Sequence, residues 1–292
     1  MHADEVATDE PLVRRLLAAQ FPEWAHLPLT PVRSAGTDNA IYRLGGELSV
    51  RLPRIAWATR QIAKEAEWLP RLAPHLPLAV PELIARGEPG EGYPYEWAVY
   101  RWLEGSNQTI DQLENPRQAA VDMANFIAAL QRIDITDGPL ATEHGLRGVS
   151  LRTRDDATRK AINALGGTVD TRRALAVWEE ALETPEWKGD PVWFHGDLLI
   201  GNVLFNQGHL SAVIDFGGLG VGDPAPDLMI AWSLFSAGSR SLFREALKID
   251  DATWARGRGQ ALAQAAIFIP YYLDTNPVGV GYARRMMAEV LA

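Results

Sequence analysis

A chain of 292 residues, 47% hydrophobic and 22% charged, is long enough for two lobes and has the composition of a protein that buries a sizeable core. The absence of cysteine excludes disulfides, thiolate metal sites and a cysteine nucleophile, and no apolar run reaches the ~18–20 residues of a membrane span. A net charge of −9 argues against nucleic acid as a partner, since neutralising phosphates takes a basic face, and leans mildly towards a cationic acceptor.

The first ten residues are acidic and lack the basic start of a signal peptide, so a cytoplasmic location is expected. Lysine stands only at Lys64, Lys160, Lys188 and Lys248, so arginine supplies all but four of the 28 basic residues. A helix is expected at 10–20, with Leu12, Val13, Leu16 and Leu17 on one stripe. Three short antiparallel strands follow at 29–32, 40–44 and 47–52, with turns at 36–39 and Gly45-Gly46. The first turn, Gly36-Thr37-Asp38-Asn39, offers backbone N–H groups and a hydroxyl suited to phosphates, although such a turn is commonly only a turn.

Over 59–69 the spacing of Ile62, Ala66 and Leu69 predicts a helix, and Glu65 falls on the same inward stripe. A buried carboxylate requires a cation, and Arg51 at the end of the third strand is the natural partner. Strands at 80–84 and 97–103, separated by a loop over 87–93, complete a five-stranded antiparallel sheet with one helix across it. The expected boundary is the hinge Leu103-Glu104-Gly105, giving a nucleotide-binding lobe at 1–103 and a catalytic, substrate-binding lobe at 104–292.

Beyond the hinge the pattern turns helical. Asn115 caps, Pro116 takes the first helical position, and Ala120, Met123, Ile127 and Leu130 line one face. The run 145–167, with Arg147, Arg152, Arg154, Asp155, Asp156 and Arg159, reads as a solvated charged face. A helix at 171–182 is expected to bury Leu175 and Trp178, and 227–235 to form an apolar helix. The tail, 252–292, is expected to be helical on both sides of 269–277.

The chain is organised around 193–228. Two apolar runs, 203–205 and 210–214, are joined by Asn206-Gln207-Gly208, the pattern of a hairpin. Its register brings Asn202 and Asp215 to one open end, with Asp197 arriving from the preceding loop. Three hard-oxygen side chains there suit magnesium and acid/base work. Phosphoryl transfer needs such a set: a carboxylate to orient an attacking hydroxyl and oxygen ligands for a metal that bridges phosphates.

The segment Phe194-His195-Gly196-Asp197-Leu198-x-x-Gly201-Asn202-Val203-Leu204, followed by Ile214-Asp215-Phe216-Gly217 and Gly222-Asp223-Pro224-x-x-Asp227-Leu228, resembles the protein-kinase-like aminoglycoside phosphotransferase family, which includes macrolide kinases. The resemblance implies an α+β, bilobal protein-kinase-like fold. It implies transfer of the γ-phosphate of ATP or GTP, with Mg2+, to a hydroxyl of a small molecule of aminoglycoside or macrolide type. The implied partners are those two small molecules, with no nucleic acid, membrane or protein partner. Asp197 would be the catalytic carboxylate, and Asn202 and Asp215 the metal ligands. Gly36, Thr37, Asp38 and Asn39 would lie over the phosphates, and Glu65 would hold Arg51. The carbonyl of Arg101 and the N–H of Leu103 would meet the purine.

Arg51 departs from the family's usual lysine, and arginine is a larger, permanently charged fork; some macrolide-kinase-like members of the family carry arginine there too. His195 is expected to support the loop, and Asp227 to anchor its N–H groups. Tyr271, Tyr272 and Asp274 are candidates for a substrate cleft against the commoner reading of core aromatics. Three other readings stand beside this one. They are a metabolite kinase for choline-like or sugar alcohols, a nucleotide-binding module without turnover, and a metal-dependent hydrolase using His195, Asp197 and Asp215. The last is weakened because His2, His26, His75, His144 and His209 form no ligand-like pair.

Overall fold

Side-chain alternation decides which face of the N-terminal sheet receives Arg51. The computed structural model describes residues 5–32, 38–144 and 147–292, and these divide into two compact units, one up to 74 with 79–104, the other 75–78 with 105–292. The first begins with helix α1 (Glu10–Gln20), capped by Asp9 Oδ1 accepting from Leu12 N at 2.8 Å. Strands β1 (Leu29–Pro31), β2 (Asn39–Leu44), β3 (Leu48–Pro53), β4 (Leu83–Gly87) and β5 (Trp97–Arg101) form one antiparallel sheet in the order β1-β2-β3-β5-β4, and helix α2 (Thr59–Leu72) follows β3 in the chain.

Because side chains alternate along a strand, Tyr42, Leu44, Val50, Leu52, Trp97 and Val99 join Leu12, Val13, Leu16 and Leu17 of α1 in one core. Ala98 and Tyr100 turn to the opposite face and pack on Ile62 of α2. Arg51 pairs in register with Ile41 and Ala98 and belongs to that second face.

The first three strands shift by one residue from expectation, and the last two differ more. The fourth strand lies at Leu83–Gly87 rather than 80–84, because Pro81 has no N–H for a ladder and β5 pairs from Leu83↔Tyr100 to Gly87↔Trp97. Gly87 belongs to the strand, not the loop: a Cβ there would lie 2.1 Å from the Trp97 ring, so only glycine fits beside that indole. The fifth strand ends at Arg101, and α2 runs on through Pro70 to Leu72.

The second unit is mainly helical. It comprises α3 (Pro116–Gln131), α4 (Ala141–His144), α5 (Asp155–Ala164), α6 (Thr171–Glu183), α7 (Ile230–Ser233), α8 (Ala237–Leu247), α9 (Asp251–Tyr272) and α10 (Pro277–Leu291). Two small antiparallel pairs are inserted: β6 (Val192–Phe194) with β9 (Gly220–Gly222), and β7 (Val203–Asn206) with β8 (His209–Val213). Asn115 caps α3 by accepting from Gln118 N at 3.1 Å.

On α6 the buried stripe is Ala174, Val177, Trp178, Ala181 and Leu182; Leu175 lies one step off it and is only half-buried. The stretch 227–235 is buried but broken, with a 3-10 turn at Ala225–Met229 before α7. In the tail, α9 continues through the exposed Pro270 to Tyr272, so the helical break is shorter than 269–277. Among the described residues no helix is long and apolar enough to cross a membrane.

Candidate active site

Strand β6 buries Trp193 and Phe194 and delivers the chain to a tightly held loop. Gly196 sits at φ +82°, and a Cβ there would meet Gly218 O at 2.4 Å, so the turn admits glycine alone. Asp227, wholly buried, accepts from His195 N at 2.9 Å and from Gly196 N at 2.8 Å. Burial pushes its carboxyl up to about 7, against those two backbone donors, which favour the ionised form; nearby Asp197 adds to the rise.

His195 is buried with both ring nitrogens engaged. Nδ1 accepts from Asp197 N at 3.1 Å, so Nε2 carries the proton and donates to Ile214 O at 3.1 Å. Its ring lies 4.5 Å from that of Phe216. This histidine ties the loop to the start of the next turn and is committed to that task.

The hairpin register, with Val203 opposite Val213 and Ile214 N donating to Asn202 O at 2.9 Å, places Asn202 and Asp215 at one end of β7 and β8. Asp215 takes a left-handed conformation, φ 67° and ψ 66°, which turns the chain sharply into Phe216–Gly218. Asn202 Nδ2 donates to Asp197 O at 2.8 Å and to Asp197 Oδ2 at 3.0 Å. Both partners are acceptors, so the amide nitrogen must face Asp197, and Oδ1 is the atom left to face a cation.

An amide oxygen and a carboxylate are the hard donors magnesium prefers, and that ion commonly keeps waters and substrate phosphates for its other positions. Among the described residues no group of three or more His, Cys, Asp or Glu could hold a metal by itself. The donor set therefore fits a metal shared with a phosphate ligand.

Sequence reasoning named Arg147 only within a charged run and missed its contact with Asp197. Its Nη1 donates to Gly196 O at 2.6 Å and pairs with Asp197 Oδ1, while Nη2 donates to Gln264 Oε1 of α9 at 2.9 Å. One turn earlier on α9, Gln260 donates to Arg147 O at 3.1 Å and accepts from Arg154 Nη1 at 3.0 Å. The run 145–167 is thus not simply a solvated face: Arg147 and Arg154 turn inward. Burial, and then Arg147, lower Arg154 to about 10, with Asp197 opposing, so it stays charged at neutral pH. Arg147 lies 50 positions before Asp197, and nothing local in the chain marks that contact.

In the N-terminal unit Arg51 and Glu65 meet as a buried fork, with Nη1 3.2 Å from Oε1 and Nη2 2.5 Å from Oε2. Tyr100, also missed, donates to Glu65 Oε2 at 2.7 Å, and its ring lies 4.4 Å beneath the Arg51 guanidinium. Gln61 donates to Glu65 Oε1 at 3.1 Å and accepts from Asn39 Nδ2 at 3.3 Å. Asn39 opens β2, and Asp38 O accepts from Arg54 N at 2.7 Å.

Gly36 and Thr37 lie outside the described residues. Arg101 ends β5 with its side chain paired to Glu82, and Leu103 follows as half-buried chain. Tyr271 is 62% exposed and Tyr272 half-buried, packed on each other near the end of α9, so neither is core.

A family model described as the phosphotransferase enzyme family matches residues 29–262. An aminoglycoside 3'-phosphotransferase of Salmonella typhimurium is 28% identical over 149 residues, 50% of this chain and 55% of that protein, so the chain spans about half the length of the curated relatives it matches. Among solved structures, the GDP and kanamycin complex of APH(2")-IIia aligns with TM-score 0.73 at 16% identity, over 95% of this chain and 96% of that one. Macrolide 2'-phosphotransferase type I aligns with TM-score 0.63 at 21% identity, over 99% of both chains. At these identities the structural likenesses establish a shared fold: α+β, with a five-stranded antiparallel sheet and a mainly helical remainder.

Proposed function

The chain belongs to the phosphotransferase enzyme family, and on that premise we propose that it is a small-molecule kinase. It moves the γ-phosphate of ATP or GTP to a hydroxyl of an antibiotic of the aminoglycoside or macrolide type. The observation that carries the reading is the meeting of Asp197, Asn202 and Asp215 around one hairpin end. Relatives that bind GDP with kanamycin, or that are macrolide phosphotransferases, support both halves of it.

Asp197 accepts the acceptor's hydroxyl proton as that oxygen bonds to the γ-phosphorus, and the bond to the nucleoside diphosphate breaks. Asn202 steadies Asp197 through Oδ2. Asn202 and Asp215 would hold magnesium, which would offset phosphate charge. Arg51, oriented by Glu65 and Tyr100, holds the donor phosphates in the place of a lysine. The turn of Gly36, Thr37, Asp38 and Asn39 lies over those phosphates, and the Arg101 carbonyl and Leu103 N–H take the purine. Residues 1–103 accordingly serve the nucleotide, and 104–292 the acceptor and the transfer. A nucleoside triphosphate donor supports a cytoplasmic location.

The test is Asp197→Ala, assayed with Mg·ATP and Mg·GTP over an antibiotic panel. The expected loss in kcat is about 10²–10⁴, the usual contribution of a positioned base, with nucleotide affinity retained. Transfer that continues at the parent rate sinks the reading.

A further inference from the structure

The Asn202 side chain is only as well aimed as the backbone beneath it. That backbone is a short 3-10 turn, Ile200–Asn202, which leads directly into β7. The residue before Asn202 is Gly201, which has no side chain to pack and where an added Cβ would meet nothing within 4 Å. Carbonyls that end a helical turn also lack partners inside it. Left to itself, this stretch has little to fix it at the place where the amide must be held.

The segment that follows Glu104 supplies the brace. Gly105 sits at φ +139°, and a Cβ there would lie 2.9 Å from Phe205 O, so glycine lets the chain run this close to β7. Ser106 pairs with Phe205, its N donating to Phe205 O at 3.0 Å and its O accepting from Phe205 N at 2.9 Å. Asn107 then turns its amide onto the 3-10 turn. Its Nδ2 donates to Gly201 O at 2.9 Å and to Val203 O at 2.8 Å, with Ile200 O farther off at 3.4 Å. All three partners are carbonyls, so the amide nitrogen must be the atom that faces them. The two short bonds clasp the carbonyls on either side of Asn202. The backbone of Asn202 itself is tied to Leu199 O and Ile214 N, each at 2.9 Å.

On the reading that Asn202 and Asp215 would hold magnesium, we propose that Asn107 is a positioning residue for that metal. It fixes the peptide units around Asn202, so that Nδ2 stays on Asp197 and Oδ1 is left available to the ion. Asn107 acts through the backbone and touches no reacting atom. Losing a group that orients a metal ligand commonly costs about 10- to 100-fold in metal affinity, and an effect relayed by backbone belongs at the lower end of that range.

The test is calorimetric and needs no acceptor. Affinity for a non-hydrolysable ATP or GTP analogue is measured with saturating Mg2+ and again with EDTA, and the ratio of the two is the gain due to the metal. Asn107→Ala should reduce that ratio about tenfold, through the magnesium arm, with the EDTA arm within about twofold of wild type. Asn107→Leu fills the same space without a donor and should lose as much.

A ratio unchanged in Asn107→Ala overturns the proposal. So does a loss shared equally by both arms, which a general loosening of the fold would give, or an Asn107→Leu protein that keeps the wild-type gain. Asp215→Asn separates the proposal from the reading beneath it. If that variant loses the gain while Asn107→Ala keeps it, the metal reading stands and the role of Asn107 falls. A wild type with no gain from magnesium, or a gain that survives Asp215→Asn, removes the metal reading and the proposal with it.

Discussion

Glu65 shows how one side chain can organise a site. It is 1% exposed and is held by Arg51, Tyr100 and Gln61 together. Removing one partner of a buried pair leaves an uncompensated charge, so Glu65→Ala should destabilise the protein by about 3–5 kcal/mol in denaturant titration. Tyr100→Phe removes one hydroxyl from the same cluster and should cost about 1–2 kcal/mol. The Arg51–Glu65 contact was legible because a carboxylate on an apolar helical stripe demands a cation. Tyr100 was not, since a tyrosine in a strand is ordinary and the face it takes depends on the phase of β5. Asp227 carries a pH signature of its own. Its folded-state pKa is raised from 3.8 to about 7, mainly by burial, so between those values the folded state binds more protons than the unfolded one. Stability from this group is present at low pH and is lost as pH rises through that window. The stability of wild type relative to Asp227→Asn should therefore fall by a few kcal/mol between pH 4 and pH 8. A difference flat across that range contradicts the assignment.

The hairpin of β7 and β8 is the element on which the proposed catalytic set hangs, and its turn is imperfect. Gln207 and Gly208 both have positive φ, 50° and 77°, the two-residue I′ geometry that matches strand twist. Glutamine is a poor occupant of a left-handed position, whereas asparagine tolerates it. Gln207→Asn should raise stability by roughly 0.5–1 kcal/mol in a thermal melt and leave kcat within about twofold, because the turn lies at the far end from Asn202 and Asp215. This hairpin could be read in advance because turn residues and apolar runs specify both its existence and its register. Strand β4 could not be placed so well. Its apolar run begins at Val80, but pairing begins at Leu83, and Gly87 looks like a loop residue until the Trp97 ring is seen against it. The charged run after α4 was harder still. Whether an arginine lies in solvent or on a carboxylate 50 positions away is decided by how α9 presents Gln260 and Gln264, which periodicity does not report.

At the scale of the molecule, the change from a strand-rich to a mainly helical pattern is legible because it follows from periodicity alone. Ligand occupancy is not encoded that way, and it offers the widest test of the proposed donor site. A ligand that binds the native state and not the unfolded chain stabilises by RT ln(1 + [L]/Kd), about 2.7 kcal/mol at a hundredfold excess over Kd. For a protein of this size that corresponds to a rise of about 5–10 °C in Tm. Mg·ATP or Mg·GTP should produce it, and the same nucleotide with EDTA should produce clearly less, because phosphate repulsion at Asp215 is then unrelieved. Asp215→Asn removes that carboxylate and with it the stronger of the two proposed metal ligands, so its melt should respond to nucleotide almost equally with and without magnesium. Asp197→Ala should keep the full magnesium-dependent rise, since its proposed task begins only when an acceptor arrives. A magnesium-dependent rise that survives Asp215→Asn would place the metal elsewhere, and one lost in Asp197→Ala would make that residue a ligand instead of a base.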